Sequence, residues 1–327
     1  MLKLLGTIYG VVTDLRNTLY ERGIFKSHSL GVRTISVGNI TTGGTGKTPL
    51  VAYIAELLSD AGERVCILTR GYGRDNAQHR VLVSDGDAVL VNARAGGDEP
   101  VELARRLLNR AVVIADADRV SAAAWVKDQF EVSVFVLDDA FQHRRVRRDL
   151  DIVCVDATDP FGGGSMLPAG RLRESSSNLA RADAIVITRS DLADDIAALR
   201  NSVREMKPTA AVFLAVSKIR NADELTNEQP VLAFCGLGNP NGFFELLRRT
   251  GVRVAATRVF PDHHYYTQKE IVELERTARD IGAAMLLTTV KDMVKLEGLK
   301  REMPCIPVEL SIEIEPVTEF HRLITSS

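Results

Sequence analysis

A glycine-rich segment that ends in lysine and threonine is the part of the sequence best suited to chemistry. Residues 37–51 read VGNITTGGTGKTPLV, which resembles the phosphate-binding pattern Gly, four residues, Gly-Lys-Ser/Thr, except that Thr41 stands in place of the first glycine. In such a loop, backbone N–H groups surround phosphate oxygens, the lysine reaches the β- and γ-phosphates, and the hydroxyl binds Mg²⁺. The segment lies between a predicted strand and a predicted helix, so it predicts a working nucleotide site. The residues predicted to bind the nucleotide are Thr42, Gly43, Gly44, Thr45, Gly46, Lys47 and Thr48.

Two adjacent carboxylates follow the hydrophobic run SVFVL. Asp138 and Asp139 come at the carboxyl end of a predicted strand, where ligands bind in open α/β sheets. In phosphate-loop enzymes an acid in this place holds Mg²⁺ together with the hydroxyl of the loop, here Thr48. The sequence leaves open which of the two acids does so, and a helix cap or a solvated turn is the alternative. The basic run HRRVRR (143–148) is either a solvated face or a contact for an anionic substrate or lipid surface.

Two further motifs resemble nucleotide sites of other kinds but lack residues that those sites need. The segment CGLGNPNGFF (235–244) mimics a dinucleotide fingerprint, but Asn241 occupies the third glycine position. The segment ITRSDL (187–192) resembles the Asn-Lys-x-Asp guanine reader of GTPases, with Thr188 and Arg189 in place of its first two residues. Neither a dinucleotide nor GTP is therefore predicted as the ligand.

Short apolar runs alternate with helical stretches after residue 33, which predicts the elements that position these side chains. Strands of three to six apolar residues separated by helices favour a mostly parallel sheet that is covered on both faces. The fold class predicted is α/β, a P-loop NTPase-like doubly wound sheet with a second, smaller α/β domain and an N-terminal amphipathic helix. The predicted strands of the main sheet are TISVGNI, RVCILTR, AVVIAD, SVFVLDD, DLDIVCVD, ADAIVITRSD and AVFLAVS.

The pattern changes near residue 218, where a polar linker begins. We predict a P-loop domain over 31–218 and a smaller α/β lid domain over 219–300. Residues 301–327 contain CIPVELSIEIEP, which predicts a strand pair or ladder that could return to the first domain.

Residues 1–30 predict an amphipathic helix ahead of the first strand. Its apolar residues recur at helical spacing, and residues 1–33 hold five Lys or Arg against two Asp or Glu, a net charge of +3. A basic amphipathic helix can lie in a membrane interface, and a helix docked on its own domain is the alternative. The segment has neither a transmembrane span nor a signal-peptide cleavage site. The apolar positions are Leu4, Ile8, Val11, Val12, Leu15 and Leu19.

Composition sets broad limits on function. The chain has 327 residues, 45% of them hydrophobic and 26% charged, with a formal charge of −2. That balance gives no indication of nucleic-acid binding. The four cysteines form no CxxC pair, so they predict buried thiols and no need for an oxidising compartment.

Taken together and in order, the motifs resemble one family, the tetraacyldisaccharide 4'-kinases that act in lipid A biosynthesis in Gram-negative bacteria. The resemblance covers nearly the whole chain and includes the unusual spelling of the phosphate loop. The motifs that carry it are SVGNITTGGTGKTP (36–49), TRGYGR (69–74), GGDEP (96–100), DDAFQHRR (138–145), LPAGRLRE (167–174), CGLGNPNGFF (235–244), FPDHHYY (260–266) and TTVKDMVK (288–295).

The resemblance implies an activity and a cellular location. It implies transfer of the γ-phosphoryl group of ATP, with Mg²⁺, to the 4'-hydroxyl of a tetraacylated glucosamine disaccharide 1-phosphate, giving lipid IVA. It also implies a peripheral protein at the cytoplasmic face of the bacterial inner membrane, where residues 1–30 contact the membrane surface. No nucleic acid and no protein partner are predicted.

The same resemblance implies roles for individual residues. Lys47 neutralises the β- and γ-phosphates, Asp98 is the general base, and His263 pairs with that base. Without the resemblance, an acid at the start of a helix such as Asp98 predicts an N-cap. Residues expected to contact the acceptor, each with a surface ion pair as the alternative, are Arg70, Tyr72, Arg119, Gln142 and Arg171.

Two positions depart from the family's pattern, and two other functions compete with it. Ala140 stands where the family usually has glycine, which would cost about 1 kcal/mol if that position needs a positive φ. Val290 stands where glutamate is frequent, so no role is assigned to it. One competing function is a phosphate-loop ligase, which does not account for the amphipathic N-terminus or for FPDHHYY. The other is a nucleotide-switch or metallochaperone GTPase, which would need a guanine reader and a Cys/His metal cluster, whereas the sequence has only TRSD and scattered cysteines.

Overall fold

Thirteen strands in two sheets organise the part of the chain that the computed structural model describes, residues 1–226 and 229–326. In chain order they are β1 (Arg33–Asn39), β2 (Val65–Thr69), β3 (Val81–Ser84), β4 (Ala111–Ala115), β5 (Val134–Asp138), β6 (Leu150–Asp156), β7 (Ala184–Thr188), β8 (Ala211–Ile219), β9 (Val231–Cys235), β10 (Val254–Val259), β11 (Met285–Thr289), β12 (Cys305–Val308) and β13 (Leu310–Glu315). The larger sheet has the order β13-β8-β7-β6-β1-β5-β2-β4-β3, and the smaller has the order β10-β9-β11-β12.

Helices cover both faces of the larger sheet. In chain order the α-helices are α1 (Leu2–Glu21), α2 (Lys47–Asp60), α3 (Ala93–Gly96), α4 (Asp98–Arg106), α5 (Arg119–Gln129), α6 (Ile196–Met206), α7 (Ala222–Leu225), α8 (Pro240–Arg249), α9 (Gln268–Asp280), α10 (Val290–Met293) and α11 (Val317–Thr325). Because both faces are covered, every residue of β2, β5, β6 and β7 is buried. The predicted doubly wound α/β fold is confirmed.

The parallel pairing places the loop after β1 at the centre of one sheet edge. Strand β1 pairs in parallel with both β5 and β6, so the carboxyl ends of all three strands lie side by side. The chain then runs outward to either side of β1, and ligands bind at such a point in doubly wound sheets. The predicted phosphate loop and the Asp138-Asp139 pair are therefore neighbours at this edge.

The structure differs from the sequence analysis at the margins of the two sheets. Strand β3, which the sequence analysis missed, adds an antiparallel edge beside β4. It has only four residues, two of them half-buried, so its pattern is weak. The segment CIPVELSIEIEP forms two strands that do not pair with each other, because β12 pairs with β11 in the smaller sheet. The expected return to the first domain is made by β13, which pairs antiparallel with β8 in the larger sheet.

Helix α1 docks on the larger domain through its small and polar residues. Gly6 and Asn17 are buried, and a side-chain carbon at Gly6 would lie 3.0 Å from the carbonyl oxygen of Met166. Its apolar face points away from the protein, with Leu4 at 66% and Ile8 at 52% of full exposure. The alternative of a docked helix thus holds for one face only. Within the residues described, no helix has the length and hydropathy to cross a bilayer.

The C-terminal helix α11 packs behind the helix that follows the phosphate loop. Phe320 is fully buried and makes an edge contact with Phe213 of β8, with ring centroids 5.0 Å apart. It also lies 6.1 Å from the ring of Tyr53 in α2. The last residues of the chain therefore stabilise the domain that carries the phosphate loop.

Replacement of Phe320 by alanine tests this contribution. We expect Phe320→Ala to lower the free energy of unfolding by about 3–5 kcal/mol, because it leaves a cavity between α2 and the sheet. Val317→Ala on the same helix is the matched control, since Val317 is 48% exposed and its loss should cost about 0.5 kcal/mol or less. Urea unfolding followed by circular dichroism measures both. Equal, small effects in the two variants would contradict the packing described.

Candidate active site

A cleft of about 710 Å³ lies between the two domains, and the phosphate loop forms one wall of it. All seven residues predicted to bind the nucleotide line this cleft. The smaller domain supplies the facing wall from the loop after β9, where Gly238 lies against Gly43 and Gly44 of the phosphate loop. The segment CGLGNPNGFF, which mimics a dinucleotide fingerprint, thus belongs to this wall.

The carbonyl groups of the phosphate loop are held from outside. The carbonyl oxygen of Thr42 accepts from Arg171 Nη2 at 2.7 Å, and that of Gly44 accepts from Arg189 Nη2 at 2.8 Å. Thr188 Oγ1 donates to the carbonyl of Thr45 at 2.9 Å. Carbonyls turned outward leave the N–H groups of the loop for an anion. The ITRSDL segment therefore supports the phosphate loop.

The missing first glycine has a structural explanation. The backbone has a positive φ at Gly43 (107°) and at Gly46 (77°), and Gly46 is the N-cap of α2. Thr41 has no positive φ. Thr41 is buried and forms a bridge to Leu172. Because the backbone at position 41 is accessible to any residue, threonine replaces glycine there without strain.

Lys47 and Asp139 form an ion pair at the base of the cleft. Lys47 Nζ lies 3.6 Å from Asp139 Oδ1, and Arg173 Nη1 lies 2.6 Å from the same oxygen. Burial opposes ionisation of Asp139, but Lys47 and Arg173 outweigh it and lower the pKa to about 2. Asp139 is therefore ionised, and a phosphate group would meet two cations beside it.

Asp138 lies deeper and has the opposite character. Its Oδ2 accepts from Thr69 Oγ1 at 3.0 Å, and it does not line the cleft. Burial, followed by the charges of Glu99 and Asp139, raises the pKa of Asp138 to about 7. The positive φ of this segment falls on Asp139 (49°) and not on Ala140. The expected cost of alanine at position 140 therefore does not arise.

The oxygen atoms in the cleft fit a Mg²⁺ ion that binds together with a nucleotide. Thr48 and Asp139 line the cleft, and so do Glu99 and Asp262 of the two facing walls. Among the described residues, no group of three or more His, Cys, Asp or Glu side chains forms a preassembled metal cage. Mg²⁺ commonly takes one or two protein oxygens, phosphate oxygens and water, so such a cage is not required.

Asp98 and His263 meet across the boundary between the domains. His263 Nδ1 lies 3.0 Å and 2.9 Å from the two carboxylate oxygens of Asp98. Asp98 is 2% exposed at the start of α4, whereas His263 lines the cleft. The hydrogen bond that His263 donates to Asp98 is the main cause that raises the pKa of His263 above its usual 6.5. Burial opposes ionisation of Asp98, but His263 and two nearby lysines, Lys291 and Lys295, lower its pKa overall.

The residues expected to contact the acceptor divide into two groups. Arg70 and Tyr72 line the cleft, and Arg70 Nη1 donates to the hydroxyl of Tyr72 at 3.0 Å. The other three do not line the cleft, so the structure does not support direct contact for them. Arg119 is 2% exposed, Gln142 donates to the carbonyl of Asn39 and to Glu174, and Arg171 pairs with Thr42 and Asp159.

Several residues of the site escaped the sequence analysis. Arg173, and not its neighbour Arg171, contacts Asp139, although both stand in the segment RLR. Lys291 lines the cleft and contacts Glu99 and Asp262, each at 3.1 Å. The sequence shows that Lys291 belongs to the motif TTVKDMVK, but it does not show that this segment lies at the cleft.

The arginine run after Asp139 is used mostly within the protein. Arg144 donates to the carbonyl of Asn17 in α1, and Arg148 donates to the carbonyls of Ala140 and Phe141. Arg145 and Arg147 are exposed. The run therefore anchors α1 and the segment after β5. The solvated face is limited to Arg145 and Arg147, and contact with an anionic substrate or lipid surface stays a prediction.

Comparison with known proteins agrees with this geometry. The family model for tetraacyldisaccharide-1-P 4'-kinase matches residues 1–327. A tetraacyldisaccharide 4'-kinase of Geobacter metallireducens is 41% identical over 298 residues, covering 90% of this chain and 88% of that protein. One of Chlorobaculum tepidum is 41% identical over 332 residues, covering 98% and 94%. A crystal structure of LpxK from Aquifex aeolicus in complex with ATP is 33% identical, with a TM-score of 0.79 over 98% of this chain and 96% of that chain. The chain belongs to the tetraacyldisaccharide-1-P 4'-kinase family.

Proposed function

We infer that this enzyme transfers the γ-phosphoryl group of ATP to the 4'-hydroxyl of a tetraacylated glucosamine disaccharide 1-phosphate, forming lipid IVA. One observation carries the inference. Lys47 of the phosphate loop and His263 line the same cleft, and Asp98 contacts His263 from behind, so the binding site for a phosphate donor and a proton acceptor lie together. A guanine-reading GTPase is disfavoured, because Thr188 and Arg189, in place of the Asn-Lys of a guanine reader, hold the carbonyl groups of the phosphate loop.

We propose that His263, and not Asp98, takes the proton of the attacking hydroxyl. The ionised carboxylate of Asp98 accepts the hydrogen on Nδ1 of His263, which leaves Nε2 of the neutral ring as the proton acceptor. His263 lines the cleft, while Asp98 lies behind it. The pKa of His263 is raised by Asp98 whereas the pKa of Asp98 is lowered, so the imidazole is the stronger base of the two. Asp98 then orients the ring.

The remaining cleft residues position the two substrates. Phosphoryl transfer depends mainly on alignment and on neutralisation of charge. Lys47 and Arg173 lie where they can neutralise phosphate oxygens, and Arg70 lies where it can contact the anionic acceptor. Thr48 would hold Mg²⁺ with carboxylates of the cleft such as Asp139, and the ion would supply neutralisation of phosphate charge.

We propose that the enzyme binds the cytoplasmic face of the inner membrane through the outer face of α1. Val11, Val12 and Leu15 on that face are each at least 58% exposed. Tyr9 of α1 also lines the cleft beside Leu167. An acylated acceptor could thus keep its acyl chains in the bilayer beside α1 while its sugar enters the cleft.

Replacement of Lys47 tests the phosphate loop. We expect Lys47→Ala to abolish transfer from ATP to the acylated disaccharide in detergent micelles, because the loop loses its reach to the β- and γ-phosphates. Lys269→Ala, an exposed lysine of α9, is the matched control and should transfer normally. Unchanged turnover by Lys47→Ala would show that the phosphate loop takes no part in the reaction. Wild-type enzyme that hydrolyses ATP strongly without any acceptor would argue against a lipid kinase.

Replacement of the two histidines of DHH tests the base. We expect His263→Ala to lower kcat by at least about 100-fold, as loss of general base catalysis requires. His264 contacts Glu270 at 3.1 Å and stacks on Phe260, so His264→Ala should have a far smaller effect. Similar losses in both variants would indicate a structural role for the segment.

The pH dependence tests the role of Asp98. A base works when it is deprotonated, so activity falls as pH drops through the pKa of His263. The carboxylate of Asp98 raises that pKa, so the acid limb of kcat/KM should lie above pH 6.5. Asp98→Asn keeps a hydrogen-bond acceptor but removes the charge, and the limb should move to lower pH while kcat falls. A limb that does not move would contradict this pairing.

Acidic substitutions on α1 test membrane contact. We expect Ile8→Glu/Val12→Glu to reduce binding to vesicles of anionic phospholipid at least about tenfold, because two exposed apolar side chains become charged. Val272→Glu, a 54% exposed position on α9, is the matched control and should bind normally. A sedimentation assay measures binding. Equal binding by the wild-type protein, the α1 double variant and Val272→Glu would show that α1 does not mediate membrane contact.

A further inference from the structure

A group of buried charges lies behind the cleft wall, and Lys295 is at its centre. The side chain of Lys295 has 0% exposure, and its two carboxylate neighbours, Asp292 and Asp98, have 0% and 3%. Lys295 does not line the cleft, so it cannot contact a substrate there. Any effect of Lys295 on the reaction must therefore be transmitted through the residues that it contacts.

The ammonium group of Lys295 joins residues of both domains. Its Nζ lies 2.8 Å from Asp292 Oδ1 and 3.5 Å from Asp98 Oδ2. The other oxygen of Asp292 accepts from the backbone N–H of Gly236 at 2.9 Å and from Thr289 Oγ1 at 2.8 Å. Gly236 begins the loop that faces the phosphate loop, so one cation lies between the Asp98–His263 pair and that loop.

Stability alone does not explain a lysine at this position. Removal of a charge from water costs several kcal/mol, and an apolar side chain of similar length often replaces a buried ion pair without loss of stability. The aromatic ring of Tyr266, with its centroid 5.8 Å from Nζ, adds a weak attraction at most. A use in the reaction is therefore the better explanation.

We propose that Lys295 is a positioning residue for phosphoryl transfer, which holds the carboxylate of Asp98 in the orientation that directs His263 and ties this pair to Gly236 through Asp292. The proposal rests on the proposed function, in which His263 is the base. Lys291 differs from Lys295, because it lines the cleft and its nearest partners are Glu99 and Asp262. Lys295 faces only Asp98 and Asp292 among the described carboxylates within 4.0 Å.

The charged and titratable groups around Asp98 set the direction of the pH effect. They come from α4, from the loop before α9, and from the segment that begins with α10. These groups are Glu99, Glu102, Asp262, His263, Tyr265, Lys291, Asp292 and Lys295. Removal of Lys295 takes away one positive charge, which favours the protonated form of the nearby imidazole. The acid limb of the rate profile should then move to higher pH.

The test compares two variants that differ only at Lys295. Asp292→Asn keeps Lys295 beside Asp98, and Asp292→Asn/Lys295→Met removes the ammonium without leaving Asp292 charged and unpaired. We expect both to fold. The double variant should show kcat at least about tenfold below Asp292→Asn, with KM for ATP within about threefold, because the base is misplaced and the nucleotide loop is intact. Its acid limb should lie about half a pH unit or more higher. Lys300→Met, an exposed lysine nearby, is the matched control.

Each other outcome overturns the proposal. An unchanged kcat, or an acid limb that stays in place or moves to lower pH, would mean that Lys295 only balances the charge of Asp292. Failure of the double variant to fold would mean that the ammonium serves stability. Failure of the proposed function is distinguishable, because wild-type enzyme would then not phosphorylate the acylated disaccharide, and failure of the base assignment would show as normal transfer by His263→Ala.

Discussion

The hydrogen bond between His263 and Asp98 is the constraint on which the rest of the site depends, because its two partners belong to different domains. A carboxylate as buried as Asp98 stays ionised only with compensating groups around it. His263, Lys291 and Lys295, all supplied by residues of the smaller domain, provide them. The same contact that stabilises Asp98 therefore places the smaller domain over the phosphate loop. In the proposed mechanism, catalysis and domain arrangement therefore depend on the same electrostatic contact.

The phosphate loop is prepared by contacts on its outer side. Arg171, Thr188 and Arg189 hold its carbonyl groups, so ordering of the loop does not wait for the nucleotide. Inside the cleft, Asp139 keeps Lys47 and Arg173 together at the place where phosphate charge has to be neutralised. Preorganised charges of this kind are a large part of what phosphoryl transfer requires. The unusual Thr41 is compatible with this design because the loop needs its positive φ elsewhere.

Local patterns predicted much of the fold but less of the site. The alternation of apolar strands and helices, together with the glycines before Lys47, indicated the doubly wound sheet and the nucleotide loop from the sequence. Contacts between segments that are distant in the sequence could not be predicted from it. Nothing local separates Arg171 from Arg173, and nothing in TTVKDMVK shows that Lys295 reaches Asp98, almost two hundred residues earlier. The separation of β12 from β13 depends on which sheet edge is free, which is also a property of the whole fold.

The protonation of His263 provides the most direct test of the central claim, that this imidazole is the base and Asp98 orients it. A nuclear magnetic resonance titration of the ¹⁵N-labelled ring, in the full-length enzyme, reports both its pKa and its tautomer. The account predicts a pKa above 6.5 and, in the neutral ring, hydrogen on Nδ1 with Nε2 free to accept a proton. A pKa below 6.5, or a neutral ring that carries its hydrogen on Nε2, would contradict it.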